Sequence, residues 1–272
     1  RPGTREKAEL GVGRAHTAVQ IAGREAHWMA EAARQVEAGG AALIDINMGC
    51  PAKKVTNGYS GSALLKTPDH ALSLIEAVVN AVNIPVTLKT RLGWDDDCLN
   101  AAEVAWRAEA AGIQMVTIHG RTRCQFYKGH ADWHAIGAIK AAVNIPVIAN
   151  GDIIDTATAR TALAYSGADG VMIGRGAQGK PWLLAQVAHE LFDQPAPDIP
   201  DGGALVDMIA SHYEAMLRFY GCDLGVRAAR KHLGWYMDNA QTGIGLRRAI
   251  LTCKESAEVL RLLRSTNICP IL

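Results

Sequence analysis

Between Ala18 and Leu191 a strand-like segment alternates with a helix-like segment six times. Successive units are spaced by roughly 25–35 residues, which is typical of parallel βαβ crossovers. The segment Asn-Ile-Pro-Val occurs at 83–86 and again at 144–147, each time at the start of a strand-like stretch. This regularity predicts a TIM-type (β/α) barrel rather than a doubly wound sheet, and no GxGxxG motif follows the first strand.

The repeat also predicts how the chain divides into domains. A closed barrel of this type has eight strands, and six of eight units are recognisable here. We expect residues 1–192 to form this incomplete barrel, beginning with a loop at 1–17. The Pro-, Gly- and Asp-rich stretch 193–203 predicts a linker, and helical periodicity predicts an all-α domain over 204–272 with an unstructured tail ending in Pro270.

Composition and charge exclude several classes of protein. The formal net charge of +1 argues against a strongly basic nucleic-acid coat, although it leaves room for a local basic patch. Six scattered cysteines without a CxxC pair indicate reduced thiols rather than disulfides or a zinc site. No apolar stretch reaches membrane-spanning length, and no signal-peptide core is recognisable. We therefore expect a soluble cytoplasmic enzyme-like protein with no metal, no membrane contact and no obligate protein partner.

The strand near 43–48 ends in residues suited to chemistry. Gly49 allows a sharp turn, and Pro51 prevents a helix from including Cys50. Asn47 and Cys50 are thus placed at the carboxyl end of a strand, where α/β proteins usually hold their active sites. Taken alone, a small cysteine packed at a strand end would be the simpler interpretation, and the other strand ends favour a functional one.

Each of the other strands is also predicted to end in polar residues. These are Gln20, Lys89, His119, Asn150 with Asp152, and Arg175. A lysine in a strand is seldom buried without a partner, so Lys89 predicts a cation beside an anionic or electron-rich ring, or else an ion pair with Asp45. His119 is expected at the same level as Lys89, which favours a ligand contact.

Two glycine-containing segments follow the last two strands. They are Asn150-Gly151-Asp152 and Gly174-Arg175-Gly176. Barrels of this type usually bind phosphate at these loops, where backbone N–H groups can approach the anion and Arg175 can add charge-assisted hydrogen bonds. Tight turns that require glycine would explain either segment alone equally well, and the two together favour a phosphate.

Several longer motifs carry a resemblance to a known family. They are "DINMGCPAKKV", "VTLKTRLGW", "HGRTRCQFYKGHADW", "IANGDI" and "GRGAQGKPW". From about Gln20 to Tyr236 the chain resembles the tRNA-dihydrouridine synthase family in its bacterial B-type branch. The resemblance implies an FMN-containing barrel with a helical RNA-binding domain, which reduces the C5=C6 bond of tRNA uridines with NADPH as electron donor. Relative to that family, the chain is expected to lack the N-terminal two βα units.

The resemblance also implies roles for individual residues. Cys50 matches the catalytic cysteine, and His119 is expected beside the isoalloxazine ring. The implied FMN contacts are Gln20, Lys89, Asn150, Gly151, Asp152, Gly174 and Arg175. The predicted substrate contacts are Asn47, the basic loop with Arg121, Arg123 and Lys128, and the segment with Arg227, Arg230, Lys231 and His232. Arg227, Arg230 and Lys231 would share one helix face, for which an ordinary solvated surface is the alternative.

The residue types fit a reduction. A thiol is mostly protonated at neutral pH, so Cys50 could protonate C5 of a uracil whose C6 receives a hydride. Lys53 and Lys54 lie close in the sequence and leave a thiolate open. Two alternatives remain: a flavin barrel that acts on a free small pyrimidine-like substrate, and a non-catalytic RNA-binding or regulatory module.

Overall fold

The computed structural model describes residues 17–265, which form two compact units. The first unit extends to Ile153 and includes Ala157–Ile173, and the second comprises Ile154–Thr156 and the chain from Gly174 onwards. The main division, before Gly174, thus lies earlier in the chain than the boundary expected after Phe192. The division into a barrel domain, a linker and a helical domain stays a prediction. Most of the predicted leading loop and the predicted tail ending in Pro270 lie outside the described residues.

The strands of the described chain form one six-stranded parallel sheet. They are β1 (Ala18–Ile21), β2 (Leu43–Asn47), β3 (Val86–Arg91), β4 (Val116–His119), β5 (Val147–Asn150) and β6 (Gly170–Met172). Their order in the sheet equals their order in the sequence. A doubly wound sheet would reverse its strand order at one point, so the sequential order confirms the barrel-type α/β fold.

Helices connect these strands. They are α1 (Ala26–Ala38), α2 (Lys53–Thr56), α3 (Pro68–Val79), α4 (Ala101–Ala110), α5 (Trp133–Ala142) and α6 (Thr156–Ser166). Proline suits the first position of α3 because that N–H has no partner within the helix. Between β2 and α3 the chain forms α2 and then a 3₁₀ helix at Gly61–Lys66.

The repeated Asn-Ile-Pro segments make equivalent contacts. The N–H groups of Asn83 and Asn144 donate to Oε1 of Glu37 and Glu109, at 2.7 and 3.1 Å. The carbonyls of Pro85 and Pro146 each accept a hydrogen bond from the neighbouring strand, at 3.0 Å in both cases. Each repeat thus ties the end of an earlier helix to the start of a strand, which explains why the sequence motif recurs.

The two faces of the sheet differ in chemistry. Ile44 and Ile46 of β2 are fully buried in the hydrophobic core together with residues of the surrounding helices. Side chains alternate along a strand, so Asp45 and Asn47 lie on the opposite face. Leu88 and Lys89 divide between the two faces in the same way. Polar residues are therefore collected on the face that the helices do not cover.

The second unit is helical, in agreement with the predicted all-α C-terminal region. Its helices are α7 (Leu183–Phe192), α8 (Gly202–Tyr220), α9 (Cys222–Asn239), α10 (Ile244–Thr252) and α11 (Ser256–Arg264). A Cβ atom at Gly225 would lie 2.9 Å from the Leu217 Cα, so glycine allows α8 and α9 to pack closely. No helix within residues 17–265 combines the length and apolarity that crossing a membrane requires.

Candidate active site

The parallel register brings the polar strand ends to one edge of the sheet. Asn47 of β2 is paired with Lys89 of β3. One level further along, Arg91 is paired with His119, and His119 with Asn150 of β5. Because all the strands run in the same direction, these side chains share the carboxyl edge, as the sequence predicted.

Lys89 bonds to Asn150 rather than to Asp45. Its Nζ donates to the Asn150 Oδ1 at 3.0 Å, and the Asn150 Nδ2 donates to the carbonyl of Met172 at 2.8 Å. The Asp45 carboxylate instead accepts from the Gln20 amide at 2.6 Å and the Thr87 hydroxyl at 2.8 Å. The direct ion pair considered as an alternative is therefore not formed.

Burial changes the titration of both charged groups. Desolvation, followed by repulsion from Arg91, lowers the pKa of Lys89 to about 8, so that most of the ammonium stays charged at neutral pH. Desolvation raises the pKa of Asp45 despite hydrogen bonds from Gln20 and Thr87. The edge thus holds a half-buried cation that can attract an electron-rich ligand electrostatically.

The Cys50 backbone is held on both sides. Asn47 Oδ1 accepts from the N–H groups of Gly49 and Cys50 at 3.1 and 3.0 Å. The Cys50 carbonyl accepts from the Ser62 N–H at 3.1 Å and from its hydroxyl at 2.9 Å. Gly61 has φ +61°, and a Cβ there would lie 2.8 Å from the Cys50 carbonyl oxygen. The half-buried thiol is therefore presented from a fixed turn, with Asn47 acting as its support.

Arg91 is a site residue that sequence reasoning missed. It is 2% exposed, and its Nε donates to the Gly49 carbonyl at 2.8 Å. Its Nη1 donates to the carbonyls of Thr122 and Phe126, both at 2.9 Å. Arg91 thus ties the turn before Cys50 to the basic loop. The available signal was its position two residues after Lys89, which places both cations on the same strand face.

The basic loop contains three cations in very different environments. Arg121 is 2% exposed, and its guanidinium donates to the carbonyls of Lys128 and Gly129 and to Asp152. Arg123 is half-buried, with its guanidinium carbon 4.5 Å from the centre of the Trp94 ring. Only Lys128 has an exposed side chain. Contacts of these residues with a substrate stay a prediction. Arg121 makes its hydrogen bonds to groups within the protein.

His119 is 9% exposed and lies among cations. Desolvation, then repulsion from Arg91 and Lys89, lowers its pKa to about 3, so the ring is neutral at physiological pH. Gly151 has φ +114°, and a Cβ there would lie 2.8 Å from the His119 Cδ2. Glycine is thus required at this position for close packing on the imidazole, in addition to any contact with a ligand.

The remaining predicted residues lie in the second unit. Gly174 and Arg175 follow β6, and Arg175 begins a short 3₁₀ helix. On α9, Arg227 and Lys231 are exposed, whereas Arg230 is half-buried and its Nη2 lies 3.5 Å from the Cys253 carbonyl. The His232 ring lies 5.1 Å from that of Trp235. The predicted shared helix face is thus formed by two exposed cations, with Arg230 turned towards α10.

Comparison with known proteins gives consistent matches over both units. The family model described as dihydrouridine synthase matches residues 4–269. A probable tRNA-dihydrouridine synthase of Rhodobacter capsulatus is 61% identical over 267 residues, which are 97% of this chain and 82% of that protein. The tRNA-dihydrouridine synthase B proteins of Vibrio cholerae and Yersinia pestis are 49% and 46% identical; the matches cover 89% and 91% of this chain and 76% and 77% of theirs.

Proposed function

This chain belongs to the dihydrouridine synthase family, and on that premise we propose that it reduces specific uridines of tRNA to 5,6-dihydrouridine. The proposal includes FMN as cofactor and NADPH as electron donor. The observation that supports it is the carboxyl edge, where the half-buried Lys89 and the neutral His119 lie on one face of the sheet and a cysteine is held in the turn after β2. Reduction of a pyrimidine requires a proton donor and stabilisation of an electron-rich ring, and these residues supply both.

The donor set at this edge fits a flavin. An isoalloxazine ring presents oxygen and nitrogen acceptors along its pyrimidine side, and Lys89, His119 and the amides of Gln20 and Asn47 are donors. The cationic Lys89 would stabilise negative charge on the reduced ring. Asn150 orients Lys89 through its Oδ1, and Asp152 supports the adjoining loop through its bond to Arg121. The role of Gly174 and Arg175 at the phosphate rests on their sequence position after β6 alone.

The protein residues then act in the following way. Reduced FMN, when bound, supplies the hydride that C6 of the uracil accepts. The Cys50 Sγ–H protonates C5, so that one hydride and one proton saturate the C5=C6 bond, and the thiolate regains a proton from solvent. The hydrogen bonds from Gly49 and Cys50 to Asn47, and from Ser62 to the Cys50 carbonyl, keep the thiol in position.

Binding of the RNA requires cations outside this edge. Arg227 and Lys231 are exposed on α9, and Lys128 is exposed on the basic loop. Such residues bind phosphates and release counterions. We propose that they hold the tRNA while the target uridine leaves its stack, as base-modifying enzymes generally require.

The proposal is tested by assaying the purified protein on unmodified tRNA with FMN and NADPH. Nucleoside mass spectrometry should detect dihydrouridine, and the protein should show the absorbance of a bound flavin. Free uridine and other small pyrimidines serve as control substrates. Turnover of a free pyrimidine without any tRNA product would favour the small-molecule alternative. Binding of tRNA without flavin or product would favour the non-catalytic module.

A further inference from the structure

We infer that Arg121 is a positioning residue that holds His119 as its Nδ1–H tautomer. The neutral imidazole then presents a hydrogen-bond donor at the carboxyl edge. The use of that donor in catalysis rests on the proposed function, whereas the tautomer is a property of the folded chain alone.

The direction of the contact follows from the chemistry of the two groups. The Arg121 Nη1 lies 3.2 Å from the His119 Nε2, and both atoms are buried. A guanidinium in a protein stays protonated and has no acceptor, so it must donate. The His119 Nε2 is therefore the acceptor, and the proton of a neutral ring resides on Nδ1.

The guanidinium has little freedom to release Nε2. Its Nε donates to the Lys128 carbonyl at 3.0 Å, and its Nη2 donates to the Gly129 carbonyl at 2.7 Å and to Asp152 at 2.6 Å. The planar fork fixes the remaining N–H directions once these acceptors are in place. Asp152 also accepts from the Ala131 N–H at 2.7 Å, which fixes the anion that faces Arg121.

The surroundings of the ring leave Nδ1 for a ligand. A Cβ on Gly151 would lie 2.8 Å from Cδ2 and 3.1 Å from Nε2, so this edge of the imidazole is already packed. The charged groups that face the ring are the cations Lys89, Arg91 and Arg121 and the anion Asp152, and the Tyr127 ring centre lies 6.4 Å away. Within residues 17–265 no group hydrogen-bonds to Nδ1.

This arrangement specifies the chemical class of the ligand atom. A neutral Nδ1–H binds an acceptor such as a carbonyl oxygen or an unprotonated ring nitrogen of a flavin or a pyrimidine. It discriminates against another donor at that position, because two N–H groups would then face each other. Because burial and the surrounding cations oppose a second proton on the ring, the donor persists over the whole range from about pH 5 to pH 8.

The tautomer can be read directly by long-range proton–nitrogen NMR of imidazole-labelled protein, with His119→Gln used for assignment. In the unmodified protein we expect a protonated Nδ1 and an unprotonated Nε2 throughout that pH range. Arg121→Met should move a large fraction of the ring to the Nε2–H form. Arg91→Met is the matched control, since it removes an equally buried arginine that makes no hydrogen bond to His119, and it should leave the tautomer unchanged.

An Nε2–H ring in the unmodified protein would overturn the inference, as would an unchanged spectrum in Arg121→Met. If Arg121→Met does not fold, the unmodified protein decides the tautomer by itself. A comparison of Arg121→Lys with Arg91→Lys then decides whether the guanidinium of Arg121 sets the tautomer of His119. The spectra need neither flavin nor tRNA, so an Nδ1–H ring in a protein without reductase activity would reject the proposed function and leave this inference standing.

Discussion

Two arginines of the first unit, Arg91 and Arg121, are buried and bonded to loops, whereas Arg247 and Arg261 of the second unit lie at its surface. Arg91 and Arg121 are each 2% exposed. Arg91 donates to backbone carbonyls, and Arg121 donates to two carbonyls and to the Asp152 and His119 side chains. In the second unit Arg247 and Arg261 are 38% and 66% exposed and pair with carboxylates on α9 and α11. A buried guanidinium loses hydration that only a nearly complete set of acceptors can replace. The buried arginines therefore fix loops around the candidate site, whereas the exposed arginines leave their charge accessible to solvent and to anionic partners.

The same contrast applies to function. The first unit holds the cysteine and the polar strand ends, and the second holds Arg227 and Lys231 on an exposed helix face. If chemistry and RNA attachment are divided in this way, changes in one region should leave the other property intact. The following variants test that division.

The largest effect is expected from Cys50→Ala. Loss of a general acid commonly costs roughly 10²–10⁴-fold in rate, so dihydrouridine formation should fall by that factor. Single-turnover assays would measure it, while flavin reduction by NADPH and tRNA affinity should stay unchanged. Cys98→Ala is the control, because Cys98 is another half-buried thiol of the first unit. Equal loss of flavin reduction would show that Cys50 supports the fold or the cofactor instead.

Asp152→Asn should strongly destabilise the first unit. It breaks the 2.6 Å ion pair with Arg121 and leaves a buried guanidinium without its anion, which typically costs about 3–5 kcal/mol. Asp238→Asn breaks the surface pair with Arg247, which water and salt screen, so its destabilising effect should be much smaller. Amide hydrogen exchange in β4 and β5 would report the stability of the first unit, and exchange in α8 and α9 that of the second. Similar losses for both variants would contradict the contrast between buried and surface pairs.

Lys89→Ala should weaken flavin retention. Hydrogen bonds to charged groups contribute about 1.5–3 kcal/mol, so the dissociation constant of FMN should rise by roughly 10–100-fold. Fluorescence titration of the flavin-free protein would measure this. Lys140→Ala provides the control, since Lys140 pairs with Asp169 at the surface of the same unit. An unchanged flavin affinity would remove Lys89 from the cofactor site.

Reversing Arg227 and Lys231 to Glu should affect only RNA binding. Each lost phosphate contact lowers the slope of log affinity against log salt by about 0.9, so the double variant should lose up to about two units of slope. Filter binding of tRNA at several salt concentrations would measure it. Arg261→Glu, on a different helix of the same unit, is the control. Unchanged affinity and slope would mean that the α9 face is ordinary solvated surface.

Much of the fold was predictable because the signals are local. Apolar β-branched runs followed by helical periodicity predicted six strand–helix units, and the described chain has six strands in the same order. The segment between β2 and α3 was less predictable, because α2 is only four residues long and the start of the 3₁₀ helix at Gly61–Lys66 depends on a contact with the Cys50 carbonyl. The start of α7 at Leu183 likewise depends on the backbone before it, since Gly179 has φ +77°, which a helix does not adopt.

The site was predictable at the level of residue types but not of partners. Parallel strands imply a shared carboxyl edge, and this placed Lys89, His119 and Asn150 together. The burial of Arg91 and Arg121 runs against the usual exposure of arginine. It depends on carbonyls contributed by loops distant in sequence, and neither composition nor spacing reveals where those carbonyls point.

The smallest effect expected is a pH dependence set by His119. Its pKa falls from 6.5 to about 3 on folding, chiefly through burial. As the pH drops below about 6.5 the unfolded chain binds a proton that the folded ring does not, so the free energy of unfolding decreases. One such group contributes at most about 1.4 kcal/mol per pH unit.

His119→Gln should remove this share of the pH dependence of stability in β4 and β5, as measured by hydrogen exchange between about pH 6.5 and pH 5. Burial and His232 also lower the pKa of His212 in the second unit, so His212→Gln should flatten the slope in α8 and α9 alone. If His119→Gln leaves the pH dependence of stability in β4 and β5 unchanged, the imidazole titrates in the folded chain as it does in water. Burial at the carboxyl edge of the first unit would then not lower its pKa.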